Sequence, residues 1–349
     1  MTPTSYSFTT RRKSLLLNAT AIALTVALTA CNNSALATDT AASSDKSTGT
    51  SGFVSTGVAR TVTDNLFAPG GRIAAVGEIS DSEGNNWTMP AATRYTDDTM
   101  AFAPDLYNNY ISGHSYANSQ AALDALQPSQ VTDIDASGEL ITAYIFADNY
   151  FELYINGVAV AKDPIPFTEF NSNIVQFRAA MPFTAALLLV DWEENLGTGT
   201  EANRGTNQHP GDGGLVAVFH NAKGDIVGVT DNRWKAQTFY TSPIVDLNCL
   251  SEEGNQRLSN ACTDSAPADL NSTYAVHWHR PENWTSTDFD DSNWPAAVEF
   301  SNNTVGVSNK SSYTNFSDIF DAAEQDAQFI WSSNLVLDNE VLVRGIVGQ

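Results

Sequence analysis

Residues 138–160, GELITAYIFADNYFELYINGVAV, decide the fold class. They read as two β-strands. In the second, Phe151, Leu153 and Ile155 fall on one face and Tyr150, Glu152 and Tyr154 on the other, the period of two that a strand imposes. Asn156-Gly157 then supplies the positive φ angles of a tight hairpin turn, and Val158 and Val160 begin the return strand.

Working outward, TAALLLVDW (184–192) is an unbroken apolar run short enough for a strand buried on both faces. GLVAVFHNAKGDIVGVTD (214–231) predicts another hairpin turning between Asn221 and Gly224. AVHWH (275–279) and EVLVRGIV (340–347) complete the clear strands. Two short helices are expected, one capped by Ser119 before QAALDAL and one capped by Ser317 before DIFDAAEQDA. Many short strands, frequent turn signals and few helices predict an all-β sandwich over 131–349. Residues 53–130 carry extra strands or form a small lobe.

The amino terminus has a different character. Arg11, Arg12 and Lys13 precede an apolar stretch, Leu15 to Ala30, that suits a signal-peptide core better than a membrane span. It ends in Leu28-Thr29-Ala30-Cys31, which resembles the bacterial lipobox, and that resemblance implies acylation of Cys31 after removal of residues 1–30. Asn32 in place of aspartate favours the outer membrane of the cell envelope, with the lipid anchor as the membrane contact. Residues 31–52 are small and polar and read as a flexible tether.

Composition narrows the function. Of 349 residues 42% are hydrophobic, ample for a packed core, while 40 acidic against 17 basic residues give a formal charge of -23. Such a chain repels nucleic-acid phosphates, which excludes nucleic acid as a partner. After Cys31 only Cys249 and Cys262 remain. In an exported chain their spacing suggests one disulfide, with free thiols or half a metal site as the alternatives.

DNYFELYINGVAVAKDPIPFTEF (148–170) is similar to the central hairpin of galactose-binding-like jelly-roll sandwiches. TDNRWK (230–235), ENWTSTDFDDSNWPAAVEF (282–300) and QFIWSSNLVLDNEVLVR (328–344) resemble three further elements of those domains. The last pair normally precedes the hairpin, so the resemblance implies a circularly permuted jelly roll. The chain is also similar to a group of exported bacterial proteins of unassigned function. The family accompanies many glycoside hydrolases and often holds a structural calcium ion, so the resemblance implies non-catalytic recognition of a glycan or related polymer.

The residues themselves set the candidates. There is no G-x-S-x-G elbow and no HExxH, so neither common hydrolase signature is present and no cofactor is required. Trp192, following Asp191 at a strand end, and Trp234, between Arg233 and Lys235, are expected to be exposed stacking faces, with Asp191 supplying direction. Asp191 and Glu193 in DWEEN (191–195) are the candidate calcium ligands. DIDASGELITAY (133–144) begins like an EF-hand loop at Asp133, Asp135, Ser137 and Gly138, but Tyr144 stands where a bidentate glutamate is needed, so it reads as a polar turn. His277 and His279, two apart on a strand, point one way and are candidate metal ligands, with His209 a distant third. HWHRPE (277–282) resembles the cupin motif, but Glu282 arrives one position early. The rival functions are a scaffold that binds another envelope protein and a metal-dependent enzyme using His277 and His279.

Overall fold

The computed structural model describes residues 49–69, 72–167, 171–202, 208–265 and 268–349. The signal-peptide stretch, Cys31 and the tether up to residue 48 lie outside the described residues.

Two antiparallel sheets form the body. The first runs Phe53–Thr56, Tyr274–His277, Lys235–Ile244, Asp338–Val347, Phe183–Val190, Tyr150–Ile155 and Val158–Lys162 in spatial order. The second runs Val298–Phe300, Phe329–Trp331, Gly214–His220, Glu139–Asp148, Ser172–Ala179 and Asp105–Tyr107. In the second, Ile226–Val229 also pairs with Gly214–His220, and Thr132–Asp133 joins Ser172–Ala179 in parallel. The protein is an all-β sandwich.

Alternation assigns the faces as the sequence predicts. Phe151, Leu153 and Ile155 turn into the layer between the sheets, whereas Tyr150 and Tyr154 face outward into a second apolar cluster. The neighbouring strand does the same, sending Ala185, Leu187 and Leu189 inward and Ala186, Leu188 and Val190 outward. The inter-sheet layer closes where Phe183 meets Phe177 at 5.4 Å and Phe219 at 6.0 Å. Each fully buried ring or aliphatic side chain contributes about 1.5–3 kcal/mol. At the hairpin, Asn156 has φ 49° and Gly157 φ 82°, the left-handed pair that a two-residue turn requires.

The first sheet is buried on its outer face too, and residues 53–130 supply part of the cover. Phe67, Ala74, Ala91 and Met100 pack there beside Trp192, Trp278, Trp284 and Trp294. The same segment adds an edge strand to each sheet and a small sheet of Arg60–Thr61, Gly77–Ser80 and Asn86–Met89. It is part of the sandwich body and not a lobe beside it. The chain is held from Thr50 onward, because Thr50 Oγ1 and the Ser51 amide donate to Glu252.

The helices need correction. Ser119–Ala125 forms, but its cap is Asn118, whose side chain accepts from the Ala121 amide at 2.9 Å. Ser317–Phe320 is a single turn with no side-chain cap, because the chain turns away after burying Ile319 and Phe320. Two further turns, Asn302–Val305 and Ser311–Thr314, precede it. Their neighbourhood covers the second sheet through Tyr313, 5.8 Å from Phe146.

Cys249 and Cys262 form a disulfide with their Cα atoms 4.9 Å apart. A loop of this size gains about 3 kcal/mol from the restraint on the unfolded chain. The bridged segment is a short hairpin, Ser251–Glu253 with Gln256–Leu258. It carries Arg257 over the rings of Phe239 and Trp278 at 4.8 and 4.5 Å.

Candidate functional site

Of seven tryptophans only Trp87 is half-buried; the other six are buried. That overturns the expected stacking faces. Trp192 is 0% exposed, with Nε1 donating to the Ala75 carbonyl at 3.0 Å and its ring edge-on to Tyr150 at 5.6 Å. The N-terminal segment lies over it, which the neighbouring sequence does not reveal. Trp234 is 3% exposed and donates to the Val229 carbonyl at 2.9 Å. Gly345 admits its indole against the adjoining strand, since a Cβ there would collide with the ring.

Above Trp234 the surface opens into a cleft of about 600 Å³ between the Gly214–Val229 hairpin and the end of strand Asp338–Val347. Its rim presents Arg233, Lys235 and Asp291, and its walls present Ile226, Phe289 and Ile346. Arg344 holds the far side. It is buried, donates to Asp291 Oδ2 at 2.7 Å and to the Ser286 carbonyl at 3.0 Å, and lies over Phe289 at 5.1 Å. Arg233 points outward with its side chain 69% exposed, leaning on Asp231. The cleft is lined by strands and by the loop carrying Phe289 and Asp291, and its surface is more polar than apolar; Arg233 and Arg344 pair with Asp231 and Asp291, and Lys235 adds a further cation.

Asp191 and Glu193 lie elsewhere, at the end of strand Phe183–Val190, and the fold brings them to Asp148, Glu201 and Asp212. Both are buried, as is Asp148. Among the described residues Asp191 Oδ2 and Glu193 Oε2 have no hydrogen-bond partner, and Glu193 Oε1 accepts from the Gly211 amide at 2.5 Å. Burial, reinforced by neighbouring carboxylates, pushes Asp148, Asp191 and Glu193 well above the usual carboxylate range. Asp212 is raised to about 6, chiefly by burial and then by Glu201. Glu201 is engaged by Arg72, and His209 Nε2 lies 3.4 Å from it. His209 therefore belongs to this region and not to His277 and His279. Asp191 and Glu193 were visible in the sequence as an acidic turn. Asp148, Glu201 and Asp212 join them only through tertiary packing, and nothing local marks them.

His277 and His279 do share a face, as strand alternation predicts. They stack on Trp87 at 4.9 and 4.6 Å. Tyr240 stacks on His277 at 5.1 Å, and Ser55 Oγ lies 2.7 Å from His277 Nε2. Burial lowers the His277 pKa to about 3, so the ring is neutral. It is packed as an aromatic plate, while His279 stays exposed. Among the described residues no three His, Cys, Asp or Glu side chains converge as ready-made metal ligands. The EF-hand-like stretch is the expected polar turn, with Asp135 accepting from the Ser137 amide and hydroxyl.

Comparison with protein-family models, curated proteins and solved structures returned no match.

Proposed function

We propose that this chain is a non-catalytic recognition protein of the bacterial cell envelope, lipid-anchored through Cys31, that binds a glycan in the cleft above Trp234. The cleft carries the reading. Its volume of about 600 Å³ is in the range of ligand sites, and its mainly polar surface combines charged side chains with the apolar faces of Ile226, Phe289 and Ile346. Arg233 and Lys235 at its rim favour sugars bearing carboxylate or sulfate groups. A jelly-roll relationship to galactose-binding-like sandwiches, with the chain permuted, is consistent with the two antiparallel sheets.

The test is a panel of neutral and acidic polysaccharides, measured by pull-down and titration calorimetry. Binding to an acidic glycan should weaken about tenfold or more in Arg233→Ala and Lys235→Ala, about 1.4 kcal/mol, and should weaken with salt. Trp87→Ala should leave it intact. Loss of binding in Trp87→Ala but not in the cleft variants would move the site to the aromatic plate. No binding across the panel by folded protein would overturn the glycan reading in favour of an envelope-protein partner.

A further inference from the structure

We infer that the cavity between Phe102, Ile111 and the helix Ser119–Ala125 is a binding site for a neutral aromatic alcohol of the phenol class, with His114 accepting its hydroxyl hydrogen. The cavity holds about 430 Å³, within the range of small-ligand sites, and shares no lining residue with the cleft above Trp234. Its surface is mainly apolar. Phe102 is 49% exposed and Ile111 39%, so two large apolar side chains remain uncovered beside it. Phe102 is nonetheless held in place. Lys162 Nζ lies 4.5 Å from its ring centre, Tyr95 meets it edge-on at 5.4 Å, and the Ala103 amide donates to the Lys162 carbonyl at 2.8 Å.

The polar end is built on a buried acid. Asp105 Oδ1 accepts from Asn108 Nδ2 at 3.0 Å, and Asp105 Oδ2 lies 2.7 Å from His114 Nδ1. An ionised carboxylate only accepts, so Nδ1 carries the hydrogen and Nε2 keeps its lone pair. His114 lines the cavity with its side chain 49% exposed, and no described residue bonds its Nε2. The loop that presents it is braced. The Tyr116 amide donates to the Leu106 carbonyl at 3.1 Å, and Ser115 Oγ donates to the Asn108 carbonyl at 2.8 Å. The tautomer defines the ligand: it must donate.

Charge narrows the class further. Among the described residues lining the cavity there is no lysine or arginine, and Asp105 is the one acid. A carboxylate or phosphate would meet a like charge there with no fixed cation to answer it. A neutral hydroxyl on an aromatic ring suits both the acceptor and the walls, where Phe102 and Tyr116 supply aromatic surface.

Equilibrium dialysis of the full chain against 2-naphthol should show one saturable site per protein. Methylation removes the donated hydrogen, so 2-methoxynaphthalene should bind about tenfold more weakly, and 2-naphthoate more weakly still. His114→Phe keeps a ring but removes the acceptor, and should bring 2-naphthol down to the affinity of its methyl ether. Ala125→Trp, at an exposed helical position that lines the cavity, should weaken both ligands by about tenfold or more. Arg233→Ala, in the cleft above Trp234, should bind 2-naphthol as wild type does. Wild-type protein that does not bind 2-naphthol, or binds it no better than the ether, would overturn the site. So would binding unchanged in folded His114→Phe or folded Ala125→Trp, or binding lost in Arg233→Ala.

Discussion

Asp338 and the pair Asp191 and Glu193 are buried carboxylates in two regions of this sandwich, and the fold partners them differently. Asp338 is buried and accepts from four hydroxyls: Ser332 at 2.6 Å, Thr241 at 2.8 Å, Thr238 at 2.9 Å and Ser259 at 3.2 Å. The hydroxyls come from three other segments, so the carboxylate ties together strands that are far apart in sequence. Burial still raises its pKa, but every lone-pair direction is occupied. At Asp191 and Glu193 the burial is equal, but among the described residues Asp191 Oδ2 and Glu193 Oε2 have no donor and Glu193 Oε1 has only the Gly211 amide. The first arrangement is complete within the chain. The second leaves two buried oxygens unmet among the described residues.

The largest test of this contrast removes the floor beneath the second region. Trp192→Ala deletes a fully buried indole and should cost about 3–5 kcal/mol in stability by urea denaturation. A loss below 1 kcal/mol would mean that the ring is not packed as described.

Next in size are paired substitutions of the carboxylates. Asp338→Ala leaves four buried hydroxyls without their shared acceptor and should destabilise by about 2–3 kcal/mol. At a pH where Asp191 is ionised, Asp191→Asn should do the opposite, stabilising by about 1 kcal/mol, because it relieves like-charge repulsion and breaks no hydrogen bond to a described residue. Equal destabilisation by both would erase the distinction.

The smallest effect is in pH. Asp148, Asp191, Glu193 and Asp212 hold protons more tightly folded than unfolded. Between about pH 4 and the folded values the native state therefore binds more protons, and stability falls as pH rises. For Asp212 that window runs from 3.8 to about 6. His277 acts against it: its pKa falls from 6.5 to about 3 on folding, so its contribution is lost as pH drops below 6.5. His277→Gln should steepen the fall in melting temperature from pH 4 to 6, and Asp191→Asn should flatten it. Parallel melting curves for both variants and wild type would refute the assignment.

Much of the framework was readable from local pattern. Alternation in Tyr150–Ile155 and the unbroken run through Val190 announce strands because side chains in a strand take opposite faces by backbone geometry alone. Asn156-Gly157 announces a turn because few residues tolerate positive φ. Cys249 and Cys262 pair as their spacing suggests. The helix after Ser317 was overread, since its apolar spacing continues past the point where the chain turns.

What the sequence by itself determined, then, was the sandwich, its main hairpin and its disulfide, because those depend on the period and conformational limits of neighbouring residues. Tertiary structure alone decided exposure and company. Trp192 and Trp234 sit in polar, loop-like sequence, yet residues 53–130 and Gly345 provide the surfaces that bury them. Asp148, Asp191, Glu193, Glu201 and Asp212 span 65 positions, and only the packing of distant segments brings them together. Burial and the meeting of like charges are properties of distant segments packed together, and no local period encodes them.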